Sequence, residues 1–114
     1  MDKKSNPLVT IGIPVFNGEK YIRKAIDSIL AQTFCNFNCI ISDNGSTDQT
    51  EIICKEYEEK DERITYVKQG ENRGVDFNFR FLLSKAKSKY FVWLSHDDYW
   101  ESTFLEKNTK ILEK

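Results

Sequence analysis

The sequence is poor in the residues that build disulfide frameworks and zinc sites. Its 114 residues include three cysteines, Cys35, Cys39 and Cys54, and one histidine, His96. An odd number of cysteines without a recognisable secretory signal does not suggest a disulfide framework. Cys35 and Cys39 are four residues apart, but no second pair of cysteine or histidine ligands completes a zinc site. We therefore expect reduced, partly buried thiols.

Long apolar runs and an excess of one charge are also absent. No apolar run approaches the ~20 residues that span a bilayer. The 17 basic and 18 acidic residues give a net charge of −1, which argues against a nucleic-acid surface and a polybasic membrane patch. We therefore expect no nucleic-acid partner. We also expect a cytoplasmic protein, with any contact to the inner face of the membrane made through parts outside this chain.

Several well-known catalytic and nucleotide-binding motifs are missing. No G-x-G-x-x-G follows the first apolar segment, which argues against a dinucleotide-binding Rossmann domain. The sequence contains no G-x-x-x-x-G-K-[ST] for a P-loop and no G-x-S-x-G for a nucleophile elbow. No cysteine and histidine are placed for covalent catalysis.

The hydrophobic pattern that is present alternates between strand and helix periodicity. Apolar, β-branched runs predict strands, and stripes at helical spacing predict a helix after each of them. Strands that alternate with helices indicate an α/β fold with a mostly parallel sheet and helices on both faces. We expect residues 1–114 to form one such Rossmann-like domain. The predicted strands are Leu8–Phe16, Phe37–Ser42, Ile64–Val67 and Tyr90–Leu94.

Local patterns predict some helix ends and core positions. Asn17 is placed to cap the first helix, and Ser46 followed by Gln49 has the form of a capping box for the second. In that second helix, Ile52 is predicted to face inward. Trp93, in the fully apolar last strand, is predicted to lie in the core.

Polar segments follow all four predicted strands. In parallel α/β sheets ligands bind outside the carboxyl ends of the strands. Three of the four segments contain Asp or Asn together with Gly, which is typical of turns and of ligand-binding loops. We therefore expect one site at one edge of the sheet, formed by Phe16–Gly18, Asp43–Asp48, Gly70–Gly74 and His96–Tyr99.

Three aspartates in these segments are candidates for ligand contacts. Asp97 and Asp98 are adjacent carboxylates after an apolar strand, and a hard divalent cation such as Mg²⁺ or Mn²⁺ would offset their charge. In the alternative, one of them caps the following helix and the other is solvated. Asp43 ends a buried strand, where it can accept hydrogen bonds from a ligand or, alternatively, hold the Asn44–Gly45 turn.

In its order of motifs the chain resembles the N-terminal half of the family 2 inverting glycosyltransferases. The resemblance runs from about Leu8 to the end of the chain, and it implies a truncated form of the A-type glycosyltransferase fold. Four blocks carry it: Val9–Asn17, Ser28–Phe34 with Ile41–Asp48, Asn72–Gly74, and Leu94–Asp98.

The resemblance implies a role for each matching residue. Of Asp97 and Asp98, one would hold the metal, Mg²⁺ or Mn²⁺, and the other would contact the ribose; both are candidates for the metal. The chain departs from the family at Asn44, where many members have a second acid, and at Ser95, where many have Asp. The nucleotide would be bound by Pro14, Val15, Phe16, Asp43, Asn72 and Asp97.

The activity implied by the resemblance is transfer of a sugar, with inversion, from a nucleotide-diphosphate donor to an acceptor hydroxyl. Uridine diphosphate is the usual carrier, and a saccharide or lipid-linked acceptor suits polysaccharide biosynthesis. In the family the general base comes from the second half of the domain, so no catalytic residue is assigned here. Two alternatives remain: a donor-binding fragment without turnover, and a non-enzymatic interaction domain. An open sheet edge would also favour a homo-oligomer.

Overall fold

The computed structural model describes residues 7–114, in which four strands alternate with four helices. The predicted element order and α/β class are confirmed, while residues 1–6 of the predicted single domain lie outside the described residues. The strands are β1 (Val9–Val15), β2 (Phe37–Asp43), β3 (Ile64–Lys68) and β4 (Tyr90–Trp93). The helices are α1 (Ile22–Leu30), α2 (Thr50–Lys60), α3 (Val75–Lys85) and α4 (Phe104–Leu112).

All pairs in the sheet are parallel, and the strand order is β3-β2-β1-β4. Val15 pairs with Asp43, and Asp43 pairs with Lys68, so three strands end level with one another. β4 pairs with the first part of β1, and its last residue, Trp93, lies opposite Gly12. The chain after β4 therefore runs past the end of β1, at the carboxyl ends of the strands. We call this end of the sheet the carboxyl edge.

The two central strands are buried on both faces, which explains why their sequences are continuously apolar. Ile11, Ile13 and Ile41 are fully buried and pack in one core cluster with α1, α2 and α4. The opposite face of the sheet is covered by α3, whose Leu82 is fully buried close to Gly12. Helices thus cover both faces, as the sequence predicted.

β4 lies at the edge of the sheet, and its side facing α3 is partly open. Trp93 is 41% exposed and contacts Phe79 and Phe91 at ring-centroid distances of 5.5 and 4.9 Å. The prediction that Trp93 lies in the core is wrong, because an edge strand has a neighbour on one side only. The inward position of Ile52 is also wrong: Ile52 is 55% exposed, while its neighbour Ile53, also predicted to face inward, is buried in the core.

None of the helices between Pro7 and Lys114 has the length and apolar character needed to cross a bilayer.

Replacing Gly12 with alanine tests how closely β4 and α3 pack on the centre of the sheet. An added Cβ would lie 2.8 Å from the end of the Phe91 ring and 3.2 Å from the Cβ of Leu82. Both residues would have to move, so we expect Gly12→Ala to lower the free energy of unfolding by about 1–3 kcal/mol. Urea denaturation measures the change.

Gly70→Ala is the matched control, because an added Cβ at Gly70 meets no atom within 4 Å. We expect its free energy of unfolding to stay within about 0.5 kcal/mol of the unsubstituted protein. Equal losses in the two variants would contradict the close packing at Gly12.

Candidate functional site

The loops after β1 and β2 are joined by hydrogen bonds between side chains and backbone. The Asn17 amide N–H donates to Ser46 Oγ at 2.7 Å, and the Thr47 N–H donates to Asn17 Oδ1 at 2.8 Å. The Gly18 N–H donates to Thr50 Oγ1 at 2.9 Å. Asn17 adopts φ 51°, a conformation that asparagine tolerates better than most residues. The two loops therefore form one connected rim.

These bonds replace two predicted helix caps. Asn17 does not cap α1, because that helix begins at Ile22 and the Asn17 side chain points across to Thr47. Ser46 and Gln49 do not form a capping box, because α2 begins at Thr50 without a side-chain cap and Ser46 accepts from Asn17. In both cases the side-chain oxygen that was predicted to cap a helix accepts a hydrogen bond from the neighbouring loop.

Asp43, the last residue of β2, is fully buried. Its Oδ1 accepts the Ser46 N–H at 2.8 Å, and its Oδ2 accepts the Tyr66 hydroxyl at 2.5 Å. Burial and this hydrogen bond raise the pKa of Tyr66. The carboxylate thus holds the turn, as in one of the two alternatives, while each oxygen retains a further lone pair. A direct contact with a ligand would require the atoms that cover Asp43 to move.

The loop after β3 is fixed by Asn44, which is buried beside it. The Asn44 side-chain amide donates to Asn72 Oδ1 at 3.1 Å and to the Gly74 carbonyl at 3.0 Å. The Asn44 Oδ1 accepts the Arg73 N–H at 3.0 Å. An aspartate has no N–H to donate, so an amide is what this arrangement requires at Asn44. Asn72, a predicted nucleotide contact, is therefore placed at the rim but has its side-chain oxygen engaged within the loop.

A cavity of about 220 Å³ opens at this edge of the sheet, on the side covered by α3. Phe16 is 42% exposed there, so one aromatic face is available to a ligand. On the far wall, the buried Asn78 is held by two hydrogen bonds to Ser42, one from the Ser42 hydroxyl and one to its carbonyl. The lining residues are Pro14, Val15, Phe16, Asn44, Val75, Asn78, Phe79, Ser95 and His96.

The structure brings the predicted Pro14–Phe16 segment to the cavity and adds residues that the sequence did not indicate. Val75, Asn78 and Phe79 belong to α3, where nothing in the sequence shows which face of the helix reaches the site. Asp43 and Asn72 do not line the cavity: Asp43 is buried at the end of β2, and Asn72 lies in the loop after β3.

The acidic turn after β4 lies next to the cavity. Asp97 and Asp98 are exposed, and His96, which precedes them, packs so closely on Gly18 that a Cβ there would lie 2.7 Å from the imidazole. The Ser95 hydroxyl donates to Asp97 Oδ1 at 2.6 Å, and this bond lowers the pKa of Asp97. Asp97 is therefore ionised at neutral pH.

Neither aspartate of the turn caps a helix. The next helix begins at Phe104, and its N-cap residue is Thr103. The alternative in which Asp97 or Asp98 only caps α4 is therefore wrong, and both carboxylates face solvent at the edge of the sheet.

The donor set of the acidic turn suits a cation that is held partly by a substrate. Among residues 7–114, no group of three or more His, Cys, Asp or Glu side chains is placed to hold a metal ion. Asp43 ends β2, and β1 lies between β2 and β4, the strand that leads into the turn. Mg²⁺ is commonly bound by one or two carboxylates together with substrate phosphates and water. Asp97 and Asp98 fit that arrangement.

Asn44→Asp tests whether the amide of Asn44 fixes the loop after β3. The variant loses both N–H donors and places a carboxylate against two carbonyl-type oxygens, so we expect a loss of about 1–3 kcal/mol in the free energy of unfolding. Amide hydrogen exchange at Arg73 and Gly74 should also become faster.

The control is Asn38→Asp, near the amino end of β2 and away from the loop after β3. There the Asn38 Oδ1 accepts the Thr10 hydroxyl at 2.7 Å, a role that a carboxylate oxygen can keep. Similar stability and exchange rates in the two variants would contradict the role given to Asn44.

Comparison with known sequences and structures identifies the family. The family model for glycosyl transferase family 2 matches residues 10–114. An uncharacterized glycosyltransferase of Rickettsia prowazekii is 44% identical over 109 residues, which cover 96% of this chain and 33% of that protein. The chain thus spans about a third of the length of that relative.

Solved structures show the same fold. The crystal structure of residues 1–349 of S. aureus TarS in complex with UDP superposes with a TM-score of 0.85 at 25% identity, covering 92% of this chain and 32% of that one. The mannosyltransferase PcManGT of Pyrobaculum calidifontis was solved with GDP-Man and Mn²⁺. It superposes with a TM-score of 0.76 at 25% identity, covering 83% of this chain and 29% of that one. The chain has the A-type glycosyltransferase fold and belongs to glycosyl transferase family 2.

Proposed function

We propose that the chain binds the donor of a metal-dependent inverting glycosyltransferase, with a UDP-sugar as the donor. One observation carries the proposal: Ser95 and His96 line the same cavity as Pro14–Phe16, and the exposed Asp97 and Asp98 follow them directly in the chain. This arrangement offers an aromatic and apolar surface to a nucleoside and a cation site to its diphosphate. TarS, which shares the fold, was solved with UDP, and this supports the choice of nucleotide.

The nucleoside is proposed to lie along Pro14, Val15 and Phe16. Phe16 offers an exposed ring for stacking against a base, an interaction that contributes about 1–3 kcal/mol per base in nucleic-acid complexes. The volume of the cavity is below the range of about 300–1,000 Å³ that is typical of ligand pockets. The ribose and diphosphate would therefore extend along the rim between Asn72 on one side and Asp97 on the other, and a contact with Asp43 would require the atoms that cover it to move.

The diphosphate would approach the carboxylates of Asp97 and Asp98, and negative charges that lie close together repel each other. Asp97 and Asp98 would hold a Mg²⁺ or Mn²⁺ ion between themselves and the phosphate oxygens. When bound, the ion would offset the negative charge that develops on the departing diphosphate. PcManGT, solved with GDP-Man and Mn²⁺, supports the pairing of a nucleotide sugar with a divalent metal in this fold.

In the proposed reaction, an acceptor hydroxyl attacks the anomeric carbon from the face opposite the diphosphate. The hydroxyl gives its proton to a general base, the bond from sugar to phosphate breaks, and the configuration inverts. No residue between Pro7 and Lys114 is assigned as that base. The acceptor is proposed to be a saccharide or lipid-linked sugar.

A second candidate function is donor binding without turnover. It is favoured by the site itself, because the cavity and the acidic turn offer contacts to a donor, whereas no residue between Pro7 and Lys114 is assigned as the general base. Release of UDP from a UDP-sugar in the presence of Mn²⁺ separates the two candidates, since a donor-binding fragment produces none.

Calorimetric titration with UDP tests the proposed site through its two carboxylates. We expect UDP to bind at least about ten-fold more tightly with Mn²⁺ than with EDTA, a difference of about 1.4 kcal/mol. The double variant Asp97→Asn, Asp98→Asn should lose that difference, because amides bind hard cations more weakly than carboxylates do.

Glu101→Gln is the control for the loss of charge. Glu101 is an exposed acid shortly after the turn, hydrogen-bonded to Thr103 and Lys107. The Glu101→Gln variant should keep the full gain in UDP affinity from Mn²⁺. A double variant that retains the metal effect, or a control that loses it, would place the cation elsewhere.

A further inference from the structure

A buried glutamine in the loop after α1 holds the segment that follows the acidic turn. Gln32 is 4% exposed. Its side-chain amide donates to the carbonyl of Glu101 at 2.8 Å and to the carbonyl of Ser28 at 3.1 Å. Its Oε1 accepts the N–H of Leu105 at 3.0 Å. One side chain therefore bridges the end of α1, the chain after the turn and the first turn of α4.

Two neighbours of Gln32 reinforce this attachment. The Ser28 hydroxyl accepts the N–H of Trp100 at 3.2 Å, and the Thr33 N–H donates to the carbonyl of Ser102 at 2.9 Å. The Trp100 ring stacks on Phe104 with centroids 4.4 Å apart. The chain from Trp100 to Leu105 is thus fixed against the end of α1 at several consecutive points.

Before the turn, the chain is fixed by the sheet and by His96. The Leu94 N–H donates to the Gly12 carbonyl at 2.9 Å, and His96 packs on Gly18. Asp97 and Asp98 lie between the attachment at His96 and the attachment at Trp100. Both are exposed, and their hydrogen bonds run to Ser95 within the same turn. The position of the two carboxylates is therefore set by the attachments on either side of them.

We propose that Gln32 is a positioning residue for Asp97 and Asp98, and that it sets their distance to the diphosphate of a bound nucleotide. This inference rests on the proposed function. Binding constellations must be held within about 0.5 Å of their productive geometry, and exposed carboxylates on a short turn do not achieve this alone. Only an amide meets the requirement at Gln32, because the site needs two N–H donors and one acceptor on the same group.

The experiment compares two ligands that depend differently on the acidic turn. UDP with Mn²⁺ needs Asp97 and Asp98, whereas uridine without metal needs only the Pro14–Phe16 side of the cavity. We expect Gln32→Leu to reduce the gain in UDP affinity from Mn²⁺ by about ten-fold or more, and to leave uridine affinity within about two-fold. Titration calorimetry at a temperature where each variant is folded gives both values.

Thr10→Val is the matched control. It removes two partly buried hydrogen bonds that join Thr10 to Asn38 and to Ser88, near the amino ends of the strands and away from the site. It should lose stability, yet keep both the Mn²⁺ gain and the uridine affinity. Ser28→Ala is a milder variant, which removes the acceptor of the Trp100 N–H and the hydrogen bond from the Ser28 hydroxyl to the Ala25 carbonyl within α1. It should lower the Mn²⁺ gain by about three-fold with uridine unchanged, and it decides the matter if Gln32→Leu does not fold.

The outcomes separate this inference from the proposed function. If the unsubstituted protein shows no binding of UDP enhanced by Mn²⁺, the proposed function fails and this inference fails with it. If the unsubstituted protein shows the Mn²⁺ gain and Gln32→Leu or Ser28→Ala keeps it in full, the proposed function stands and the role of Gln32 is overturned. Equal losses of UDP and uridine affinity would also overturn it, because they would indicate general damage to the fold.

Discussion

Parallel pairing of β1 with β2 and with β4 is the constraint on which the candidate site depends. The register places Val15 beside Asp43 at the end of the sheet, and the chain after Trp93 runs past the same end. Residues far apart in the sequence thereby reach one edge, where their strands stop pairing and their polar groups become available. A change in strand direction or register would separate the cavity from the acidic turn.

Side-chain amides link separate segments of the chain to one another. Asn17 joins the loops after β1 and β2, Asn44 joins those after β2 and β3, and Gln32 joins α1 to the chain after β4. Replacing Asn44 or Gln32 leaves a partly or fully buried backbone group without a partner. Such a loss costs about 1–3 kcal/mol, which is a large share of the stability of a small domain.

The fold could be predicted from the sequence to a large extent, because strand and helix periodicity are local properties. The site could be predicted only in part. The acidic turn followed from its place after a strand, whereas the Pro14–Phe16 segment was indicated by the resemblance to a known family. The walls contributed by Asn78 and Phe79 depend on how α3 turns toward the sheet, and the bonds of Asn17 and Ser46 depend on a neighbouring loop. The exposure of Trp93 depends on what lies beside β4. All of these are contacts between segments, which a local pattern does not contain.

The most direct test of a single donor site at this edge is an NMR titration of the UDP-bound protein with paramagnetic Mn²⁺. The account predicts the strongest broadening of amide signals at Ser95–Asp98 and weaker broadening at residues 16–18 and 44–46. Signals from the opposite edge, such as Asn36 and Lys87, should remain sharp. Broadening centred on that opposite edge, or the same broadening with and without UDP, would contradict the account.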